Sequence, residues 1–87
     1  MKTPACAHLS HIHSVTASGT GCTECVEMGA RWVHLRECLE CGHVGCCDSS
    51  EHTHATKHYL KSKHPIMHSI EPGESWKYCY IDELMWE

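Results

Sequence analysis

Two short spacings carry the first chemistry in this chain, Cys22-Thr-Glu-Cys25 and Cys38-Leu-Glu-Cys41. A gap of two residues lets both thiolates of a pair converge on one tetrahedral ion, and sulfur with nitrogen donors selects zinc. A redox dithiol is the competing reading, but it needs a strand-to-helix setting and leaves the second pair unexplained. Each pair needs two further ligands, and the next segment offers Cys46, Cys47, His52, His54, His58 and His64. His54 and His58 stand four apart, so on a helix they share a face and could share one zinc, as the His pair of a zinc protease does. Ala55, Thr56 and Lys57 lie between them. The carboxylate that a protease needs beside its first His is therefore missing, and with it the general base.

The composition points the same way. The chain has 8 Cys and 10 His among 87 residues, far above ordinary usage, and a disulfide framework has no use for the His. The hydrophobic fraction of 41% already counts the cysteines, and Phe is absent, so apolar burial is thin for a single domain spanning residues 1–87. Met1-Lys-Thr-Pro-Ala-Cys6 has no apolar stretch after its charge, and no run is long enough to span a bilayer. The expectation is a cytoplasmic protein without a signal peptide, in a reducing compartment where abundant Cys means metal. With only 7 Lys and Arg and a formal charge of −4, the electrostatic footprint of a nucleic-acid binder is missing, so neither nucleic acid nor membrane is an expected partner.

These residues have to be held by short elements. Residues 14–21 read as a small polar loop leading to Cys22, and the alternation from Ala30 to Leu35 predicts a strand. Cys38 to Gly42 reads as a tight turn. Ser49-Ser50-Glu51 offers a capping hydroxyl and an acid for a helix over His52 to Ser62, closed by Pro65. Ile66 to Ile70 and Trp76 to Ile81 read as strands joined by the turn Glu71-Pro72-Gly73-Glu74. In the second of them Trp76, Tyr78 and Tyr80 share one face, and Lys77, Cys79 and Ile81 the other.

Cys22-x2-Cys25, Trp32, Cys38-x2-Cys41-Gly42-His43-Val44-Gly45-Cys46 and His54-Ala55-x2-His58-x5-His64-Pro65 together resemble the ubiquitin-protease-type zinc finger, or BUZ domain, from Cys6 to Asp82. The resemblance implies a small zinc-stabilised α+β domain, with short antiparallel strands packed on one main helix and cross-braced zinc sites. One site would comprise Cys22, Cys25, Cys46 and His54, the other Cys38, Cys41, His58 and His64, so that the helix bridges two metals. Members with more zinc add a Cys-x-His near the start and a Cys-x2-Cys near the end. Here these positions read Cys6-Ala-His8 and Cys79-Tyr-Ile-Asp82, a carboxylate replacing the last thiolate. Asp is a harder but legitimate zinc ligand, and three zincs are expected, the third from Cys6, His8, Cys79 and Asp82. Cys47 reads as a small buried or loop thiol, or else as a ligand displacing Cys46. The surplus His11, His13, His34, His43, His52 and His68 read as surface or hydrogen-bonded groups, with orientation of the ligands as a role for some of them.

In ubiquitin-binding members a pocket with Trp and Tyr walls takes the free C-terminal Gly-Gly of ubiquitin, and an Arg two residues after the Cys matching Cys46 is central to it. The resemblance puts Trp32, Tyr78 and Tyr80 at the walls, but Asp48 stands at the Arg position. A carboxylate facing a carboxylate is repulsive, so the walls are expected without the anion clamp. The favoured function is a non-enzymatic module that binds a protein segment or terminus at Trp32, Asp48, Tyr78 and Tyr80. Simple core filling by the aromatics is the alternative for the walls. Two other classes of function compete: a zinc enzyme using an open position at the Cys6, His8, Cys79 and Asp82 group, and a redox- or zinc-responsive protein using Cys47.

Overall fold

The computed structural model describes residues 8–87. Cys6 lies outside them. Five short strands form one antiparallel sheet: β1 (Leu35–Cys38), β2 (Val44–Cys46), β3 (Ile66–Ser69), β4 (Lys77–Cys79) and β5 (Leu84–Trp86), in the order β2-β1-β3-β4-β5. A six-residue helix, α1 (Thr23–Met28), precedes the sheet, and the main helix α2 (His54–Ser62) follows β2. Among the described residues no helix is long and apolar enough to cross a membrane.

The register sorts the sheet into two faces, because side chains alternate along each strand. Cys38, Met67, Tyr78 and Met85 are paired in one row across β1, β3, β4 and β5. Ile66, Cys79 and Leu84 form a row on the opposite face. Helix α2 packs over the first face at its β2 end, and Gly45 makes that approach possible. A Cβ at this position would stand 2.7 Å from the backbone nitrogen of Ala55. The opposite face carries a cluster of Leu39, Ile66 and Cys79, against which Ile12, Val15 and Trp86 pack. A second cluster consists of Cys22, Cys25 and Cys46 with Ala30 and Leu35. Thiols thus occupy much of what would be apolar core, as the thin hydrophobic composition requires.

Several boundaries differ from the sequence reading, each for a local reason. The strand expected over Ala30 to Leu35 begins only at Leu35 and runs on to Cys38. The N–H of Val33 is given to the Ser50 hydroxyl at 2.7 Å rather than to a neighbouring strand. Ser50 is therefore occupied and buried, and it does not cap the helix. Thr53, in a left-handed conformation, takes the N-cap position, and the N–H of His54 points at the Cys46 sulfur at 3.1 Å. Sulfur stands where a capping oxygen was expected. The strand expected over Trp76 to Ile81 is paired only from Lys77 to Cys79, since the chain turns after it into β5.

Candidate functional site

Helix α1 forms the first thiol pair. The Cys22 sulfur accepts from the Cys25 N–H at 3.5 Å as its N-cap, so a two-residue gap becomes the first turn of a helix with both sulfurs on one side. The second pair is a hairpin turn between β1 and β2. There the N–H of Gly42 bonds the carbonyl of Cys38 at 2.8 Å, and the Glu40 N–H approaches the Cys38 sulfur at 3.4 Å. Gly42 has φ +88°, and a Cβ there would lie 2.1 Å from the carbonyl oxygen of Thr16, so both conformation and space demand glycine.

Among the described residues three groups of donors converge, with the atoms in each within 4.8 Å of one another: Cys22, Cys25, Cys46 and His54; Cys38, Cys41, His58 and His64; and His8, Cys79 and Asp82. In the first, His54 Nδ1 lies 3.2 Å from the Cys22 sulfur, 3.3 Å from that of Cys25 and 3.6 Å from that of Cys46. The sulfurs of Cys25 and Cys46 are 3.9 Å apart. In the second, His64 Nδ1 is 3.5 Å from the Cys38 sulfur and His58 Nε2 is 3.3 Å from that of Cys41. In the third, His8 Nδ1 is 3.5 Å from the Cys79 sulfur and 3.2 Å from Asp82 Oδ2. Donors on a tetrahedral zinc with bonds of about 2.0 to 2.3 Å are separated by roughly 3.3 to 3.8 Å, so the donor sets suit that ion in both chemistry and spacing.

His54 and His58 go to different groups although they are four apart on α2, so they do not converge on one ion. Cys47 is turned away from the first group, with its sulfur 3.7 Å from the Ser50 hydroxyl. Of the surplus histidines, His43 is the one whose placement matters most. Its Nε2 meets both carboxylate oxygens of Glu24 at 2.8 and 2.9 Å, and its ring stacks on His58 at 4.1 Å. Glu24 sits between Cys22 and Cys25, so this contact ties the first group to a donor of the second. His11 and His68 pair with Glu40 and Glu37 at 3.0 and 2.6 Å, and His52 stacks on His54 at 5.5 Å. Glu40 also stands 4.0 Å from His64 Nε2, the nitrogen not facing sulfur, an electrostatic contact longer than a hydrogen bond.

The crowding has electrostatic consequences for these side chains. Burial, then the neighbouring Cys22 and Cys46 thiols, pushes the Cys25 thiol up to about 12, and burial raises Cys38 to about 11. Burial with the nearby His43 and His64 drives His58 down to about 4. Neutral imidazole is the form that binds metal, and a metal entering the thiol sets must expel protons.

Beside these groups, on the Cys38–Tyr78–Met85 face of the sheet, lies a cavity of about 330 Å³ bounded by Arg36, Asp48, Trp76, Tyr78, Tyr80 and Met85, among others. Tyr80 stacks on Tyr59 of α2 at 4.7 Å and meets Tyr78 edge-on at 5.2 Å. Asp48, Tyr78 and Tyr80 therefore come together as the sequence reading expects. Trp32 does not join them. Its ring lies against Gly21, where an added Cβ would be 2.8 Å from it, and Trp76 supplies the indole wall of the cavity instead. The alternation of Trp76, Tyr78 and Tyr80 was the signal that could have identified Trp76.

Residues 22–85 match the family model described as "Zn-finger in ubiquitin-hydrolases and other protein", and the chain belongs to this family. It is 35% identical over 60 residues to ubiquitin carboxyl-terminal hydrolase 44 of Ailuropoda melanoleuca and, equally, to that of Xenopus tropicalis. Those matches cover 69% of this chain but 8% of each hydrolase, so the shared part is a small fraction of the relatives' length. The solution NMR structure of protein RPA1320 from Rhodopseudomonas palustris superposes with a TM-score of 0.89 at 50% identity, covering 99% of this chain and 84% of that one. The family is a zinc-binding one, and the Cys and His groups described above suit zinc.

Proposed function

We propose that this domain is a non-catalytic protein-interaction module that binds a segment or terminus of another protein in the Trp76, Tyr78 and Tyr80 cavity. Its zinc is structural. Cys22, Cys25, Cys46 and His54 hold one ion, and Cys38, Cys41, His58 and His64 hold a second. His8, Cys79 and Asp82 hold a third, with Cys6 as the remaining ligand. Closed four-ligand sites leave no open position for a water nucleophile, whereas binding at such sites contributes directly to folding. The cavity is the observation that carries the reading: three aromatic side chains converge on about 330 Å³ of open space instead of filling the core.

The hydrolase relatives make a ubiquitin tail the first ligand to consider, but Asp48 lines this cavity where a tail carboxylate would need a donor. Titration with a peptide ending in free Gly-Gly tests the reading. The native chain is expected to bind it weakly, and Asp48→Arg to bind it roughly thirtyfold more tightly through a charge-assisted pair. Amidating the peptide terminus should erase the gain. Tight, carboxylate-dependent binding by the native chain would transfer the clamp to Arg36, while the absence of any perturbation at Tyr78 and Tyr80 in both proteins would remove a free Gly-Gly terminus from the candidate ligands of the cavity.

A further inference from the structure

The charges around the cavity are not equivalent, and their inequality selects a ligand. Arg36 lies 4.5 Å over the Trp76 ring, donates to the Leu35 carbonyl at 2.9 Å and to the Ser69 hydroxyl at 3.3 Å, and stands 3.7 Å from Glu74. Its side chain is only 11% exposed, so its charge is already engaged from several sides. An incoming anion would have to compete with Glu74 and with the indole face. Asp48, on the other side, is exposed and accepts one hydrogen bond, from the Thr56 hydroxyl at 2.5 Å. Among the described residues it has no ion-pair partner. A carboxylate offers about four acceptor positions, so most of its capacity faces the cavity and solvent.

Resting on the interaction reading above, we propose that the cavity receives a lysine side chain of a protein partner, its ammonium on Asp48 and its methylene stem along Tyr78 and Met85. Tyr78 and Tyr80 present aromatic surface to a cation, and Met67 and Met85 are pliable apolar walls for a stem that buries its carbons and keeps its head polar. A cavity of about 330 Å³ is at the small end of ligand sites, which suits one long side chain rather than a folded element. The chain's formal charge of −4 adds a long-range preference for basic partners.

The test uses the zinc-loaded full chain and four peptides of one backbone, all blocked at both ends except the fourth, which is blocked only at its N-terminus. Three carry lysine, norleucine or glutamate at the centre, and the fourth ends in a free Gly-Gly carboxylate. The lysine peptide should shift the amide signals of Asp48, Tyr78, Tyr80 and Met85 and bind about tenfold more tightly than norleucine, the margin of one charge-assisted contact. Asp48→Asn keeps the size and the Thr56 contact, and it should abolish that margin while zinc content and spectral dispersion stay unchanged. Equal binding of lysine and norleucine, or a margin that survives Asp48→Asn, overturns the lysine proposal and leaves the cavity as an interaction site. Preference for the Gly-Gly or glutamate peptide does the same. If none of the four peptides perturbs the cavity, the interaction reading falls with it.

Discussion

The same backbone device occurs twice in this domain, and the two copies differ in the residues that matter. Cys38, at the end of β1, is followed three positions on by Cys41 and then by Gly42 at φ +88°. Cys79, at the end of β4, is followed three positions on by Asp82 and then by Glu83 at φ +54°. Each turn closes five residues after its leading cysteine, on His43 in the first and Leu84 in the second. In the first, both donors are cysteine sulfurs and the left-handed position is glycine. In the second, one donor is a carboxylate and the left-handed position carries a side chain, which costs about 1 kcal/mol or more before any metal binds. The first turn joins α2 and lies beside the buried thiol cluster, whereas the second gathers residues from near the two ends of the chain. One geometry therefore occurs both beside the main helix and at the periphery of the fold, and the two copies are expected to differ in how much stability they contribute.

The largest test of that contrast is removal of a donor from the two centres that share α2. Cys22→Ser or Cys41→Ser, or a strong chelator acting on the native chain, should abolish the cooperative fold, because so little apolar surface would remain to hold it. Circular dichroism and amide dispersion measure the loss. If both survive full metal removal, the stability does not come from zinc. Cys47→Ser, whose sulfur faces Ser50, should leave the zinc count and fold intact.

A smaller effect is expected at the second turn. Asp82→Ala should lower the zinc count by one and loosen residues around His8 and Cys79, while the signals of α2 remain in place. Retention of the full metal complement would take Asp82 off the ligand set. The smallest effect lies in the backbone itself. Glu83→Gly relieves the left-handed position at the entropic cost of glycine, and the balance should stabilise the domain by about 0.5 kcal/mol. A thermal shift in the opposite direction would mean that the Glu83 side chain contributes more than its conformation costs.

Much of this domain is legible along the chain. The paired thiols of Cys22-x2-Cys25 and Cys38-x2-Cys41 declare themselves by spacing, since two residues bring two sulfurs to one ion whatever surrounds them. Their resemblance to a known zinc finger also anticipates the division of His54 and His58, which spacing alone would have assigned together. The alternation that puts Trp76, Tyr78 and Tyr80 on one face is likewise a local property of extended backbone. The short helix that Cys22 caps and that carries Cys25, the three-residue strands at Val44 and Leu84, and the late start of α2 are not local. Each is too short to be stable or recognisable by periodicity, and each is set by where a sulfur or a neighbouring strand has to stand. The exchange of Trp32 for Trp76 has the same cause. Only the assembled sheet decides which indole reaches the cavity, because Arg36, Asp48, Trp76 and Met85 come from four separate stretches of chain whose meeting depends on strand order and register.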